Sequence, residues 1–328
     1  MDAELVEYSP TRQTDRPNVT SSPKAVQIQR TIAFGVVVLP LFGACAALYA
    51  AGQGTIALAE VGIFVGMYFV GMLGITLGFH RCFAHRSFKA GPVLRAFLAI
   101  LGSMSAQGPL LWWVATHRCH HAYSDQPGDP HSPHLIGPVS LTGWRGFWHG
   151  HIGWMFSEEQ ADWVRFCPEL IKEPLLFRVH RLYPLWLLIG LLIPTLLGGL
   201  LIGGAWGFFS GFLWGGLVRI FCVNHALWCV GSISHLYGGR PFQHRTLDQS
   251  ANNWFVALVA FGEGNQNNHH AFPSSAKHGI EWWQPDFTYR VIGLLGLLGW
   301  IRDIKSPTKS TLEMAARRPT VGSAVLTK

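Results

Sequence analysis

The sequence predicts an all-α integral membrane protein with four transmembrane helices. Three observations carry this: a composition poor in charge, two long uncharged stretches, and basic residues that cluster outside them. Hydrophobic residues make up 49% of the 328 and charged residues 13%, about half the charged share of an ordinary soluble domain. No residue is charged over 31–59 or over 182–218. Lys and Arg number four in residues 1–30, ten in 80–181, ten in 231–328, and one, Arg219, inside the fourth expected span. The same figures exclude a disordered chain and a coiled coil. The six cysteines contain no CxxC pair, which argues against an oxidised extracellular fold. The net charge of +7 flanks apolar runs instead of forming a basic polar surface, so no nucleic-acid partner is expected.

Taken in order, residues 1–30 are rich in Pro, Ser, Thr and charge and lack the succession of a signal peptide, so they are expected to be a disordered tail. Span one is expected at 31–51 and span two at 61–79, joined by a short loop around Gly52. Nineteen residues reach about 28 Å, the thickness of a bilayer core. The second uncharged stretch is too long for one helix, and its glycine pairs at 198 and 203 suit a turn, giving spans at 183–203 and 206–228. Arg219 then lies inside span four and is expected to snorkel or to mark where the helix leaves the lipid. The apolar segment 291–301 has 11 residues, short for a span, and reads as an interfacial or core helix. Residues 31–303 thus form the membrane domain, and 304–328 a flexible tail. The distribution of Lys and Arg puts both termini and the large middle segment in the cytoplasm.

Sixteen histidines are present, and their positions are informative. His80 and His85 sit in HRCFAH where span two ends. His117, His120 and His121 sit in HRCHH, His269 and His270 in QNNHH, and His235 in SISHLYG just after span four. All eight fall beside the membrane on one side and read as one site. In HRCHH, positions i, i+3 and i+4 lie within about 100° on a helix, and adjacent His120 and His121 can serve two different ions. In HRCFAH, i and i+5 diverge by about 140° on an ideal helix, so that pair converges only if the helix ends or bends. Imidazoles in this number suit iron, zinc, copper or nickel, and the boxes hold too few acids for a carboxylate-rich pair of irons. A single box would read as a polar cap; their coincidence implies metal. His131, His134, His149, His151, His180, His225, His244 and His278 fall outside the boxes and are expected to be satisfied polar residues or supports for ligands. Cys82 and Cys119 read as small packing residues. A metal transporter would place ligands at mid-membrane on broken helices, whereas spans one to three hold no histidine.

The boxes, together with DPH at 129–131, GHIGW at 150–154, HLYGGRPF at 235–242 and NNHHAFP at 267–273, resemble the membrane-bound fatty acyl desaturases of the stearoyl-CoA delta-9 type over residues 35–300. The resemblance implies four transmembrane helices under a helical cytosolic cap in which histidines hold two irons. The reaction it implies uses O2 and two electrons to insert a cis double bond into a long-chain acyl group on CoA or a lipid, in a bacterial inner membrane. Carried over, the ligands are His80, His85, His117, His120, His121, His235, His269 and His270. Two positions depart: Gln266 stands where the family has His, and Gly231 where it has Asn. Gln can ligate through its oxygen, so the second iron is expected to have a weaker or more open sphere, with a water, Asn265 or His225 compensating. Asp129, Glu263 and Asn265 are expected to support ligands. Trp112 and Trp113, with Trp144, Trp148, Trp154 and Trp228, are candidates for an acyl tunnel. Arg118, Arg145, Arg240 and Lys277 are candidates for a phosphate-bearing headgroup. A hydroxylase or an oxidative decarboxylase on the same core is the competing reaction. No HPGG, CxxC or GxGxxG segment is present, so electrons are expected from a separate ferredoxin, cytochrome b5 or flavoprotein.

Overall fold

A computed structural model describes residues 18–20, 22–54, 56–244 and 247–316. Four of its helices are long and apolar enough to cross a membrane: Pro23–Gly52, Leu58–Ala84, Tyr183–Leu201 and Gly204–Leu236. Short loops join them in sequence as two hairpins, of which the second is packed along its length while span one lies against span four. The first and third turn most of their surface outward, with 22% and 17% of their apolar windows buried against 50% and 56% for the second and fourth. Spans two and four therefore form the protein-packed centre, and both run on beyond the apolar stretch to carry histidines.

The first helix starts at Pro23, earlier than the expected 31. Ser22 caps it by accepting from the Ala25 amide, and Pro23 occupies a first-turn position that needs no amide donor. Gln29 Nε2 donates to Met155 O at 2.8 Å and Arg30 Nε to Phe156 O at 3.0 Å. Asn18–Thr20 pairs antiparallel with Glu159–Ala161. Residues 18–20 and 22–30 are thus tied to the folded body; of the expected N-terminal tail, residues 1–17 and 21 lie outside the described residues. At the other end Lys309–Ala316 is a helix, and 317–328 lie outside the described residues.

Glycines let spans three and four pack closely. A Cβ on Gly198 would lie 2.2 Å from Gly207 O, and one on Gly211 2.1 Å from Pro194 O. Small residues at such crossings are how helices associate where lipid offers no hydrophobic contrast. Arg219 does not snorkel. It is 1% exposed and donates to the carbonyls of Met104, Gly190 and Gly215 at 2.9, 2.9 and 3.1 Å. The guanidinium ties span four to span three and to the end of the Pro92–Ser103 helix, which satisfies donors that could not be left bare at this depth.

Outside the spans the chain builds a cap of short helices and three two-stranded ladders. Its core joins Phe79 and Phe83 of span two to Leu98, Leu110, Leu111, Val114, Leu170, Leu176 and Ile292. Cys82 and Cys119 are buried in it, and burial pushes the Cys119 thiol up to about 12. The Phe287–Leu297 helix packs Ile292 into this core and leaves Leu294 and Leu297 exposed, combining the two roles expected for segment 291–301.

Candidate metal centre

Span two widens into a π-helix over Gly74–Ala84. There each amide reaches back five residues, and His85 N bonds to His80 O at 3.0 Å. Positions i and i+5 are thus one turn apart, and the two histidines of HRCFAH face the same way. Glycine permits the approach: a Cβ on Gly74 would stand 2.5 Å from Leu101 C. The Leu110–Tyr123 helix carries HRCHH, the short Gln266–Ala271 helix carries QNNHH, and span four delivers His235.

These four elements make two groups. In the first, one nitrogen each of His80, His85, His117, His121 and His269 lies within 4.8 Å of every other. Nε2 of His85 is 2.7 Å from that of His117, and His269 Nε2 is 3.1 Å from His80 Nε2 and 2.9 Å from His121 Nε2. In the second, His120, His235 and His270 converge in the same way, and Gln266 Nε2 lies 2.9 Å from His270 Nε2. His120 and His121, adjacent in sequence, are divided between the groups.

Carboxylates grip the far side of the rings. Asp129 lies 3.0 Å from His120 Nδ1 and accepts from the backbone of Asp125 and His131. Asp125 lies 2.9 Å from His235 Nδ1 and also accepts from Ser132 and Gln249. Asp248 holds His270 Nδ1, and Glu263 stands 2.6 Å from His80 Nδ1 and 3.3 Å from His278 Nδ1. Arg81, fully buried, pairs with Glu263 and Asp286. The three aspartates fix the proton on Nδ1 of His120, His235 and His270 and leave Nε2 as the electron-pair donor. Burial would raise Asp129 and Glu263, but His120 and His80 respectively override it and hold both below the usual range. Burial, reinforced by neighbouring imidazoles, holds His85, His117, His121 and His269 well below the ordinary value. Burial would lower His235, but Asp125 overrides it and raises that ring above the ordinary value, so His235 would give up its second proton on binding a metal.

The remaining atoms test the fit. His120 Nε2, His235 Nε2 and Gln266 Oε1 are buried without a hydrogen-bond partner. Three buried polar atoms left bare beside one another cost several kcal/mol, roughly 1–3 each; a metal ion satisfies them together. The residues present fit a metal in each group.

Among residues expected to contribute, Asn265 is placed otherwise. Its amide donates to Gly262 O and Pro285 O at 3.2 and 2.7 Å, securing the loop before Gln266. His225 pairs with His151 at 3.0 Å. Arg118 is consumed as a strut, donating to Phe83 O, Ala84 O, Phe166 O and Glu169. Trp112, Trp113, Trp154 and Trp228 line a cavity of about 100 Å³ that also touches His80, His117, His120, Glu263 and Gln266. Trp113 stacks on His117, and Trp112 on Trp154. Trp144 and Trp148 are exposed. Asp125 and Asp248 escaped the sequence reading. Asp125 stands close to the HRCHH box and Asp129, a signal available in SDQPGDPH, whereas Asp248 sits in a loop 22 residues before its partner.

The family model described as fatty acid desaturase matches residues 55–293. A hex-5-enoyl-[acyl-carrier protein] acetylenase of Moorena producens is 42% identical over 88% of this chain and 90% of its own length. An sn-1 stearoyl-lipid 9-desaturase of Anabaena variabilis is 39% identical over 80% and 90%. An acyl-CoA C20 Delta5-desaturase of Anemone leveillei is 40% identical over 73% and 71%. The chain belongs to the fatty acid desaturase family, and it is an oxidoreductase of fatty acyl groups.

Proposed function

We propose that this protein is an O2-dependent desaturase that inserts a cis double bond at carbon 9 of a long-chain acyl group carried by CoA or a lipid. The observation that supports this is the cavity: tryptophans and apolar residues of spans two and four line it together with members of both nitrogen groups. His80, His85, His117, His121 and His269 would hold one iron, and His120, His235, His270 and Gln266 the other. The irons, with O2 and two electrons from a separate ferredoxin, cytochrome b5 or flavoprotein, supply the oxidising power that removes two hydrogens from an unactivated chain.

The chain's own residues do the positioning. Ile75, Leu227 and Val230 with the four tryptophans give the methylene chain a dry wall and keep water from the reacting carbons. Asp129, Asp125 and Asp248 hold the Nδ1 protons of His120, His235 and His270, so those rings keep their donor nitrogens aimed inward. Arg81 balances Glu263, which otherwise would be a lone buried charge behind His80. The cap and both termini are proposed to face the cytoplasm of a bacterium at its inner membrane, an orientation supported by the basic residues that flank the spans.

Expression in a bacterial host tests this, with double-bond positions mapped for the unaltered chain and His120→Ala. A cis-monoene at carbon 9 that disappears in the variant is expected. A second reading is favoured by the acetylenase relative: removal of hydrogens from an existing double bond. It predicts a product lighter by two hydrogens than a supplied alkene, while a hydroxy acid or terminal alkene would reassign the chemistry.

A further inference from the structure

We infer that His131 completes the second metal group by holding a water molecule that serves as a ligand there; this rests on the metal-dependent reading above. The two groups are unequal, five imidazoles against three and an amide. The open side of the smaller group faces the cavity, whose wall there is made by His120, His131, Gly231 and Gln266. Gly231 contributes no side chain. A Cβ on it would meet His131 Nδ1 at 3.4 Å and Gly150 O at 3.6 Å, so the space in front of Gly231 is bounded by the imidazole of His131.

That nitrogen is buried and has no hydrogen-bond partner. Its ring stacks on His120, centroids 4.3 Å apart, and its backbone amide donates to Asp129, the carboxylate that holds His120. A nitrogen of His131 lies within 4.8 Å of a nitrogen of His120 and a carboxylate oxygen of Asp129, yet His131 is not among the three imidazoles that converge. It stands one position out, where it reaches the group through an intervening molecule. Gln266 Oε1, also bare, lines the same space, and a buried water needs two or more such polar partners. His131 is therefore a positioning residue, fixed by the same frame as the ligand it stacks on.

The test is iron titration against a chelator, with Mössbauer spectra, on the detergent-solubilised full chain. The unaltered protein is expected to bind two irons of unequal affinity. His131→Phe keeps the stacked ring and removes the nitrogen. It should weaken the looser site by tenfold or more, change that iron's spectrum and spare the tighter site. Adding Gly231→Asn puts an amide into the same space and should restore the affinity. Unchanged affinity in His131→Phe, equal weakening of both sites, or no recovery in the double variant would overturn the inference. Fewer than two irons in the unaltered chain would instead sink the metal reading beneath it.

Discussion

Asp248 reaches the centre from a loop, where its carboxylate holds His270 Nδ1 and accepts from the Ser250 amide at 2.8 Å. Asp248→Asn is expected to lower iron affinity at the second group by about 10–100-fold while the first group is spared, since a partner that orients a ligand is worth that much. Residual iron per chain after chelator dialysis reads this directly; full retention would show that the carboxylate does not orient the ring. Gln266→His works in the opposite direction. A fourth imidazole beside His120, His235 and His270 should hold the second iron more tightly against a chelator. Unchanged metal content together with unchanged product would remove any special role for Gln266. At this scale the histidines were legible in sequence because HRCHH has helical spacing and the other boxes fall beside the ends of the spans. Asp248 was not, because its partner is reached only through a folded loop.

The element that matters most is the π-helical end of span two. On an α-helix His80 and His85 would diverge; the wider turn brings them together, and Gly74 and Gly78 accept the Pro92–Ser103 helix against it. The HRCFAH spacing raised this problem but did not name its solution, because whether a helix widens is decided by what packs on it. The hairpin of spans three and four makes a comparable demand. Gly211→Leu would drive a side chain into Pro194 O, and overpacking of this kind costs about 1–3 kcal/mol. A lower thermal midpoint in detergent is expected, with the metal groups, which lie elsewhere, still loading iron in the folded fraction. A midpoint equal to that of the unaltered chain would mean that the two helices are free to part.

For the molecule as a whole, the buried histidines set a pH dependence. Burial holds His270 down to about 4 against an ordinary 6.5, and His85, His117, His121 and His269 shift the same way. Below 6.5 the unfolded chain takes up protons that the folded chain refuses. Their contribution to stability is therefore full above 6.5 and is lost progressively as the pH falls toward 4. The iron-free protein is expected to melt at lower temperature at pH 5 than at pH 7; equal midpoints would show that the rings are not buried neutral. Topology has its own check: Gln53→Cys, in the first hairpin loop, should react with an impermeant thiol reagent in intact cells, and Lys172→Cys, in the cap, only after lysis. Reaction of Lys172→Cys in intact cells, with Gln53→Cys reacting only after lysis, would reverse the proposed orientation.

Sequence alone determined the four spans, that the histidine boxes gather at one end of them, and the family. Each is written in local terms: runs of apolar residues long enough for a bilayer, basic residues outside them, and imidazoles at helical intervals. Only the tertiary structure decided how eight histidines divide into five and three, that Arg219 points into protein rather than toward water, and which carboxylate serves which ring. Those outcomes depend on contacts between segments more than a hundred residues apart, such as Asp125 with His235 and Met104 with Arg219. No local pattern encodes such contacts, because they form only when the spans and the cap close on one another.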